Sequence, residues 1–415
     1  MWCLSRCARA RSSLSPSSWT FTLSCRAESS HRVPSPEEAL NFSDGGVFRL
    51  KSRWEVVRGL LIFRMCSVPT LVRHSEKLLS VTRMLLGRWL FERAMRGSVY
   101  GQFVAGESLP EIQACVDRLG KLGIRPMLAV PIEEDLGESK SGERWYEQNE
   151  EIMLNCVDLS AAGGDRPMMQ LKITALMSAD LCKELSVCLS DSSQSAELSP
   201  RAIVSIMEGQ DSAFSFLSEQ QNRHLQSSVR RLSHVGQDSF QNLSRDLGTA
   251  ESLNLCFGVK LVRGAYMDKE RKLAKEKGYS DPIQPDWEAT NRSFQRSLDN
   301  MLDLIGQGGQ RYNLIIASQN EESVLHAARR MADLGIDRSS RVLCFGQLLG
   351  MCDHVSLTLG QAGYLVYKSI PYGSVDSVLP YLVRRAQENQ SVLQGIRKER
   401  DLLRQELKRR LLGRS

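Results

Sequence analysis

The chain has 415 residues, 42% hydrophobic and 25% charged, with a formal net charge of +6. That length can hold one full barrel or two smaller domains around a sizeable core, and the composition is ordinary for a globular protein. Much of the basic excess sits at the two ends (Arg6, Arg9, Arg11, Arg26 and Arg32; Arg404, Lys408, Arg409, Arg410 and Arg414). This argues against a nucleic-acid face, which needs basic residues interleaved with aromatics on one surface. The eleven cysteines contain no CxxC pair, and the six histidines have no metal-ligand spacing. Free thiols in a reduced compartment fit better than a disulfide framework or a zinc site, and no metal is expected.

Residues 1–35 are set apart from the fold. Residues 1–27 carry four arginines, many serines and no acid. That is the profile of a mitochondrial transit peptide, with a disordered tail as the alternative. No apolar run reaches the roughly 18 residues needed to span a bilayer. The longest, Val56 to Val72, is broken by Arg58, Arg64 and Pro69.

A helical region follows over 36–123. Apolar residues recur at three and four positions over 54–67 and 71–97, and 109–122 reads as an amphipathic helix stopped by Gly123. Helices 54–97 can cap a core or lie on a membrane surface. From residue 124 to 412 the pattern alternates. β-prone runs are expected at 125–130, 169–176, 257–266, 312–318, 342–346 and 364–369, with helices at 321–334 and 348–360 between some of them. Alternation of this kind gives a parallel sheet covered on both faces, and a (β/α) barrel fits. Between Leu176 and Phe257 the pattern gives helices and loops (179–189, 199–208, 218–235) and no buried strand. Six strands are therefore expected, and the barrel is incomplete.

In such barrels the site forms at the strand C-termini. Lys172 interrupts an apolar strand. Lys260 and Arg263 flank Leu261-Val262, and Ser318-Gln319-Asn320 and Gln347 end two further strands. Arg384 and Arg385 lie on the next helical segment, with Glu388 four residues after Arg384. Two guanidiniums make a fork for a carboxylate or phosphate; alternatively they belong to a solvated, salt-bridged face. Such a cationic mouth suggests an anionic ligand. The residues alone also allow a phosphate-ligand barrel, or an aldolase using Lys172 or Lys260.

The segments Lys260-Leu-Val-Arg-Gly-Ala-Tyr266, Ala317-Ser-Gln-Asn320, Gly346-Gln-Leu-Leu-Gly-Met351, Gly363-Tyr-Leu-Val-Tyr-Lys368 and Tyr381-Leu-Val-Arg-Arg-Ala-Gln-Glu-Asn389 resemble the FAD-dependent proline dehydrogenases. Ser369, where that family usually has Tyr, is similar to the mitochondrial hydroxyproline dehydrogenase branch. The resemblance implies flavin-dependent oxidation of trans-4-hydroxy-L-proline or L-proline to the pyrroline carboxylate, with electrons passed to quinone. It implies that Lys172, Arg384 and Arg385 hold the substrate carboxylate, oriented by Glu388. Tyr266, Leu348, Ser369 and Tyr381 would surround the substrate ring. Lys260, Arg263, Gly264, Ala265, Ser318 and Gln319 would contact FAD. It also implies a mitochondrial location and peripheral association with the inner membrane.

Two departures stand out. Gln319 replaces a family His, and the family's two further strands, one ending in Asp-x-Glu and one in a flavin-contacting Gln, are absent between 177 and 256. The chain is therefore expected to hold FAD poorly and to have little activity. A catalytically impaired barrel remnant that binds an amino acid or a partner is the alternative.

Overall fold

The computed structural model describes residues 35–132, 143–161, 168–178, 256–264, 267–278, 283–308, 311–388 and 393–413, and the single residues 181, 214, 219, 225 and 281. The expected transit segment and helices 179–189, 199–208 and 218–235 lie outside the described residues, those single positions apart.

Six parallel strands form one sheet: β1 (Arg125–Ala129), β2 (Met169–Gln170), β3 (Phe257–Val262), β4 (Tyr312–Ala317), β5 (Leu343–Leu348) and β6 (Val366–Pro371), in the order β2-β1-β6-β5-β4-β3. β1 sits beside β6, as in a barrel that closes on itself. Among the described residues, β2 and β3 pair on one side only. The open edges therefore fall between the two strands that flank the segment 171–256. The described residues form an incomplete barrel of six strands.

Two expected strands are shorter than their apolar runs. β2 stops at Gln170, and Lys172 is extended but outside it, leading into a 3-10 turn at Ile173–Ala175. The expectation that Lys172 lies within a strand is therefore corrected. β3 ends at Val262, so Arg263 follows the strand.

The helices, in chain order, are α1 (Pro36–Ala39), α2 (Arg53–Cys66), α3 (Pro69–Arg73), α4 (Ser75–Gly97), α5 (Val99–Phe103), α6 (Leu109–Lys121), α7 (Glu143–Ala161), α8 (Met267–Lys277), α9 (Trp287–Gly308), α10 (Glu321–Asp333), α11 (Asp353–Gln361), α12 (Val375–Glu388) and α13 (Leu393–Leu411). The periodicity over 54–97 and 109–122 does not include α5, and neither α7 nor α9 is among the expected helices. On α9, Phe294, Leu298, Met301, Leu302 and Ile305 are buried at helical spacing. They pack with Val324, Ala327, Ala328 and Met331 of α10 against the sheet. Each such large apolar side chain contributes roughly 1.5–3 kcal/mol.

The N-terminal helices split in role. α2 buries Val56, Ile62 and Phe63, whereas α4 buries only Phe91 and breaks at Gly87 (φ 69°, ψ 167°). Met84, Leu85 and Trp89 of α4 are 77%, 74% and 72% exposed. α2 thus packs into the main core, whereas α4 gives Phe91, with Leu79 and Met95 beside it, to a smaller cluster shared with α5 and α12. One core cluster runs from Leu40 to Leu403, and α13 packs across α2. The expected helical and barrel regions share that core.

α5 closes over the β5 and β6 ends. Gln102 Nε2 donates to Gly350 O at 3.0 Å, and Tyr100 Oη donates to Gly373 O at 2.7 Å. Gly350 has φ 74°, and a Cβ there would lie 2.2 Å from Gln102 O. Only glycine allows this approach.

Candidate active site

A cavity of about 950 Å³ opens at the C-terminal ends of β3, β4 and β5. Its lining includes Lys260, Arg263, Gly264, Ser318, Gln319 and Ser369. A smaller apolar cavity of about 230 Å³ lies between α2–α4 and α12. Tyr381 and Arg385 line the smaller one, and Leu348, Met351 and Ser369 line both. The two cavities therefore meet at the end of β5 and β6.

The cationic group forms around one ring. Lys172 Nζ is 4.7 Å from the Tyr381 ring centroid, and Arg385 Cζ is 5.6 Å from it. Both distances fit cation–π contacts. The turn after β2 brings Lys172 here, and one turn of α12 separates Tyr381 from Arg385. Arg384 borders neither cavity. Ala265, Tyr266 and the Glu388 side chain lie outside the described residues, as does the expected Arg384–Glu388 pair.

On the larger cavity, Arg263 is held from two sides. Its Nε donates to Asn291 Oδ1 at 2.8 Å, and its Cζ lies 4.8 Å from the Trp287 ring centroid. Gly264 follows in a left-handed conformation (φ 69°), where the nearest atom to a Cβ would be Met267 Sδ at 3.6 Å. The backbone is thus open to the cavity. Ser318 Oγ accepts from Asn320 N at 3.1 Å, and its carbonyl accepts from Gln347 Nε2 at 3.2 Å. Ser356 Oγ donates to Gln347 Oε1 at 2.9 Å, so that amide is fixed at both ends. Gln319 Oε1 accepts from Cys352 Sγ at 2.9 Å.

Burial pulls the Lys260 ammonium down to about 8; Cys344 opposes this, and the nearby Lys172 charge adds to it. Between pH 8 and 10.5 the folded chain then binds fewer protons here than the unfolded chain, so stability rises with pH through that window. Below it, Lys260 is charged and destabilising. Lys260→Met is therefore expected to raise stability at pH 7 by about 3 kcal/mol. That gain should vanish by about pH 10.5, which denaturant titrations at both pH values would check.

Sequence reasoning assigned no role to a buried ionic cluster behind the mouth. Lys368 is 1% exposed and donates to Leu348 O at 2.9 Å and Met351 O at 2.5 Å. It also pairs with Asp353 Oδ1 at 2.8 Å, and Lys51 pairs with the same carboxylate. Burial pushes the Asp353 carboxyl up, but Lys368 and Lys51 more than offset this and hold it well below its ordinary range. Glu399 accepts from Cys352 N and Asp353 N at 2.7 and 2.8 Å. Its carboxyl is raised by burial and by the Asp353 charge. The cluster uses all three Lys368 donors and fixes the loop that carries Leu348 and Met351. The signal was present as a lysine within an apolar strand. Trp287 and Asn291 were also legible, as an i, i+4 pair opening a helix.

The proline dehydrogenase family profile matches residues 234–398. The hydroxyproline dehydrogenase of Xenopus laevis is 68% identical, over 95% of this chain and 95% of its own length. The human protein named proline dehydrogenase 1, mitochondrial, is 28% identical over 91% of each chain. A proline utilization A structure from Bdellovibrio bacteriovorus superposes with a TM-score of 0.51 at 18% identity, covering 83% of this chain and 38% of that one. That likeness concerns the fold. The Xenopus alignment runs over 443 positions, and 95% of 415 residues is about 394, so about 49 aligned positions have no counterpart here. The chain belongs to the hydroxyproline dehydrogenases of the proline dehydrogenase family.

Proposed function

We propose that this chain oxidises trans-4-hydroxy-L-proline or L-proline to the pyrroline carboxylate, with FAD as cofactor and quinone as final acceptor. The observation that carries this reading is the convergence of Lys172 and Arg385 on the Tyr381 ring, with Tyr381 and Arg385 lining the apolar cavity that Leu348 and Ser369 also line. A carboxylate fits two cations set on one aromatic platform, and an imino-acid ring fits the apolar side.

The larger cavity suits a flavin dinucleotide. Arg263, braced by Asn291 and Trp287, would take the diphosphate, and the open backbone at Gly264 admits a close approach. Ser318 and Gln319 would contact the dinucleotide, with Ala265 beside them in sequence. FAD, when bound, supplies the two-electron oxidation itself. Lys260, half-buried in the cavity lining, would neutralise negative charge on the ring system. Lys172, Arg384 and Arg385 would bind and orient the substrate carboxylate, with Glu388 orienting the arginines. Tyr266, Leu348 and Tyr381 would pack around the substrate ring and exclude water.

Ser369 is 6% exposed and lines both cavities. A tyrosine there would fill the space of a 4-hydroxyl and remove its short hydrogen-bonding partner. Ser369→Tyr, in a form of the chain carrying the segment its relatives have, is expected to shift preference from hydroxyproline towards proline. The ratio of kcat/KM for the two substrates reads this directly, and equal ratios would place specificity elsewhere.

A second reading, a barrel remnant with impaired catalysis, is supported by the one-sided pairing of β2 and β3 among the described residues. A yellow purified protein with a flavin spectrum favours the first reading, and a colourless one the second.

The composition of residues 1–27 supports a mitochondrial location. No described helix is long and apolar enough to cross a membrane. The exposed Met84, Leu85 and Trp89, with Arg83, Arg88 and Arg93 around them, support lying on an anionic membrane surface. Leu85→Asp with Trp89→Asp is expected to reduce co-sedimentation with anionic vesicles. Unchanged co-sedimentation would remove α4 from that role.

A further inference from the structure

Gln170 is the last residue of β2, and Ser369 lies in β6, with β1 between them. Met127 of β1 is the register partner of Ser369, and Ala129 is the partner of Gln170. Residues two apart on β1 share a face, so Gln170, Met127 and Ser369 point the same way. All three line the larger cavity. Gln170 is 8% exposed, and its Nε2 donates to Ser369 Oγ at 2.7 Å and to Met127 Sδ at 3.4 Å.

A serine hydroxyl has one hydrogen to donate and two acceptor positions. The Gln170 amide takes one acceptor position, and it cannot receive the Ser369 hydrogen through the same nitrogen. The O–H of Ser369 is left to donate into the cavity. We propose that Gln170 is a specificity-determining positioning residue: it presents Ser369 as a hydrogen-bond donor to the hydroxyl oxygen of a 4-hydroxylated imino acid. This rests on the substrate reading above and deepens it. Gln170 touches Ser369 and acts on the substrate through it. L-Proline, which lacks the 4-hydroxyl, gains nothing from the arrangement.

The test is equilibrium binding of trans-4-hydroxy-L-proline and L-proline, by titration calorimetry, to the purified chain and three variants. Gln170→Leu removes the donor. Gln170→Glu keeps the shape but attracts the Ser369 hydrogen towards itself. Both are expected to weaken hydroxyproline binding about five- to tenfold, the size of one hydrogen bond, while L-proline binding changes less than about twofold. In a Ser369→Ala background, Gln170→Leu is expected to have no further effect on hydroxyproline, because the two residues act as one unit. A merely structural Gln170 would weaken both ligands alike in both backgrounds, and that result overturns the inference. Loss of hydroxyproline binding that persists in the Ser369→Ala background does so too. A parent chain that binds neither imino acid overturns the substrate reading itself, and this inference with it. A parent chain that binds both equally well overturns this inference alone.

Discussion

Two strand-helix units supplied between Gly236 and Leu255, where the sequence is expected to lack them, are expected to raise bound flavin from a small fraction to near stoichiometric; the Xenopus laevis relative has about 49 aligned positions without counterpart here and can supply the segment. The described sheet runs β2-β1-β6-β5-β4-β3, and its two outer strands are paired on one side only. Lys260 and Arg263 sit at one outer strand, and Lys172 follows the other. A closed barrel fixes the distance across such a mouth, because every strand edge is paired and the interior is filled. Among the described residues β2 and β3 have no strand between them; groups on the two sides would then be held less firmly, and a cofactor that spans them would bind more weakly. Flavin absorbance per mole of protein, measured after identical purification of both chains, checks this. Turnover with hydroxyproline is expected to rise in parallel.

Arg385→Met is the single substitution expected to damage substrate binding most. Arg385 lines the apolar cavity, with its Cζ 5.6 Å from the Tyr381 ring centroid, which Lys172 Nζ also approaches, to 4.7 Å. A charge-assisted hydrogen bond contributes roughly 1.5–3 kcal/mol, so its loss corresponds to about ten- to 150-fold in affinity. Both imino acids carry the carboxylate, so both should lose affinity by the same factor, unlike the selective effect at Gln170. Flavin content should not change, because Arg385 does not border the larger cavity. Unchanged binding of both acids would return the arginine pair to a solvated, salt-bridged role.

The parallel sheet was legible because β4, β5 and β6 are runs of apolar, β-prone residues bounded by turns; β6 is buried on both faces and β5 nearly so, whereas β4 alternates between buried and more open positions. β2 was overestimated because Leu171-Lys-Ile-Thr-Ala-Leu176 is β-prone but turns into a 3-10 helix at Ile173–Ala175, which leaves Lys172 outside the sheet and beside the Tyr381 ring. Local propensity carries no information on where such a run meets its neighbours. α9 was passed over although its apolar residues recur at helical spacing. The recurrence of leucines at three and four positions in α4 fits a core cap or a membrane surface alike; the structure buries Phe91 of that helix and packs Leu79 and Met95 beside it. At the site, the charged residues announced themselves in sequence. Gln170 did not, because a polar residue at a strand end has many uses and only the 2.7 Å contact with Ser369 across β1 singles it out.

The central claim is that this mouth oxidises hydroxyproline with a bound flavin. It is tested most directly by adding trans-4-hydroxy-L-proline, without oxygen, to the 415-residue chain and to the insert-bearing chain, each saturated with added FAD. The account predicts that the absorbance of oxidised flavin is bleached in both, slowly in the shorter chain and faster in the longer, with pyrroline product formed in equal measure. Flavin that binds to the insert-bearing chain and stays oxidised in the presence of hydroxyproline and proline would contradict it.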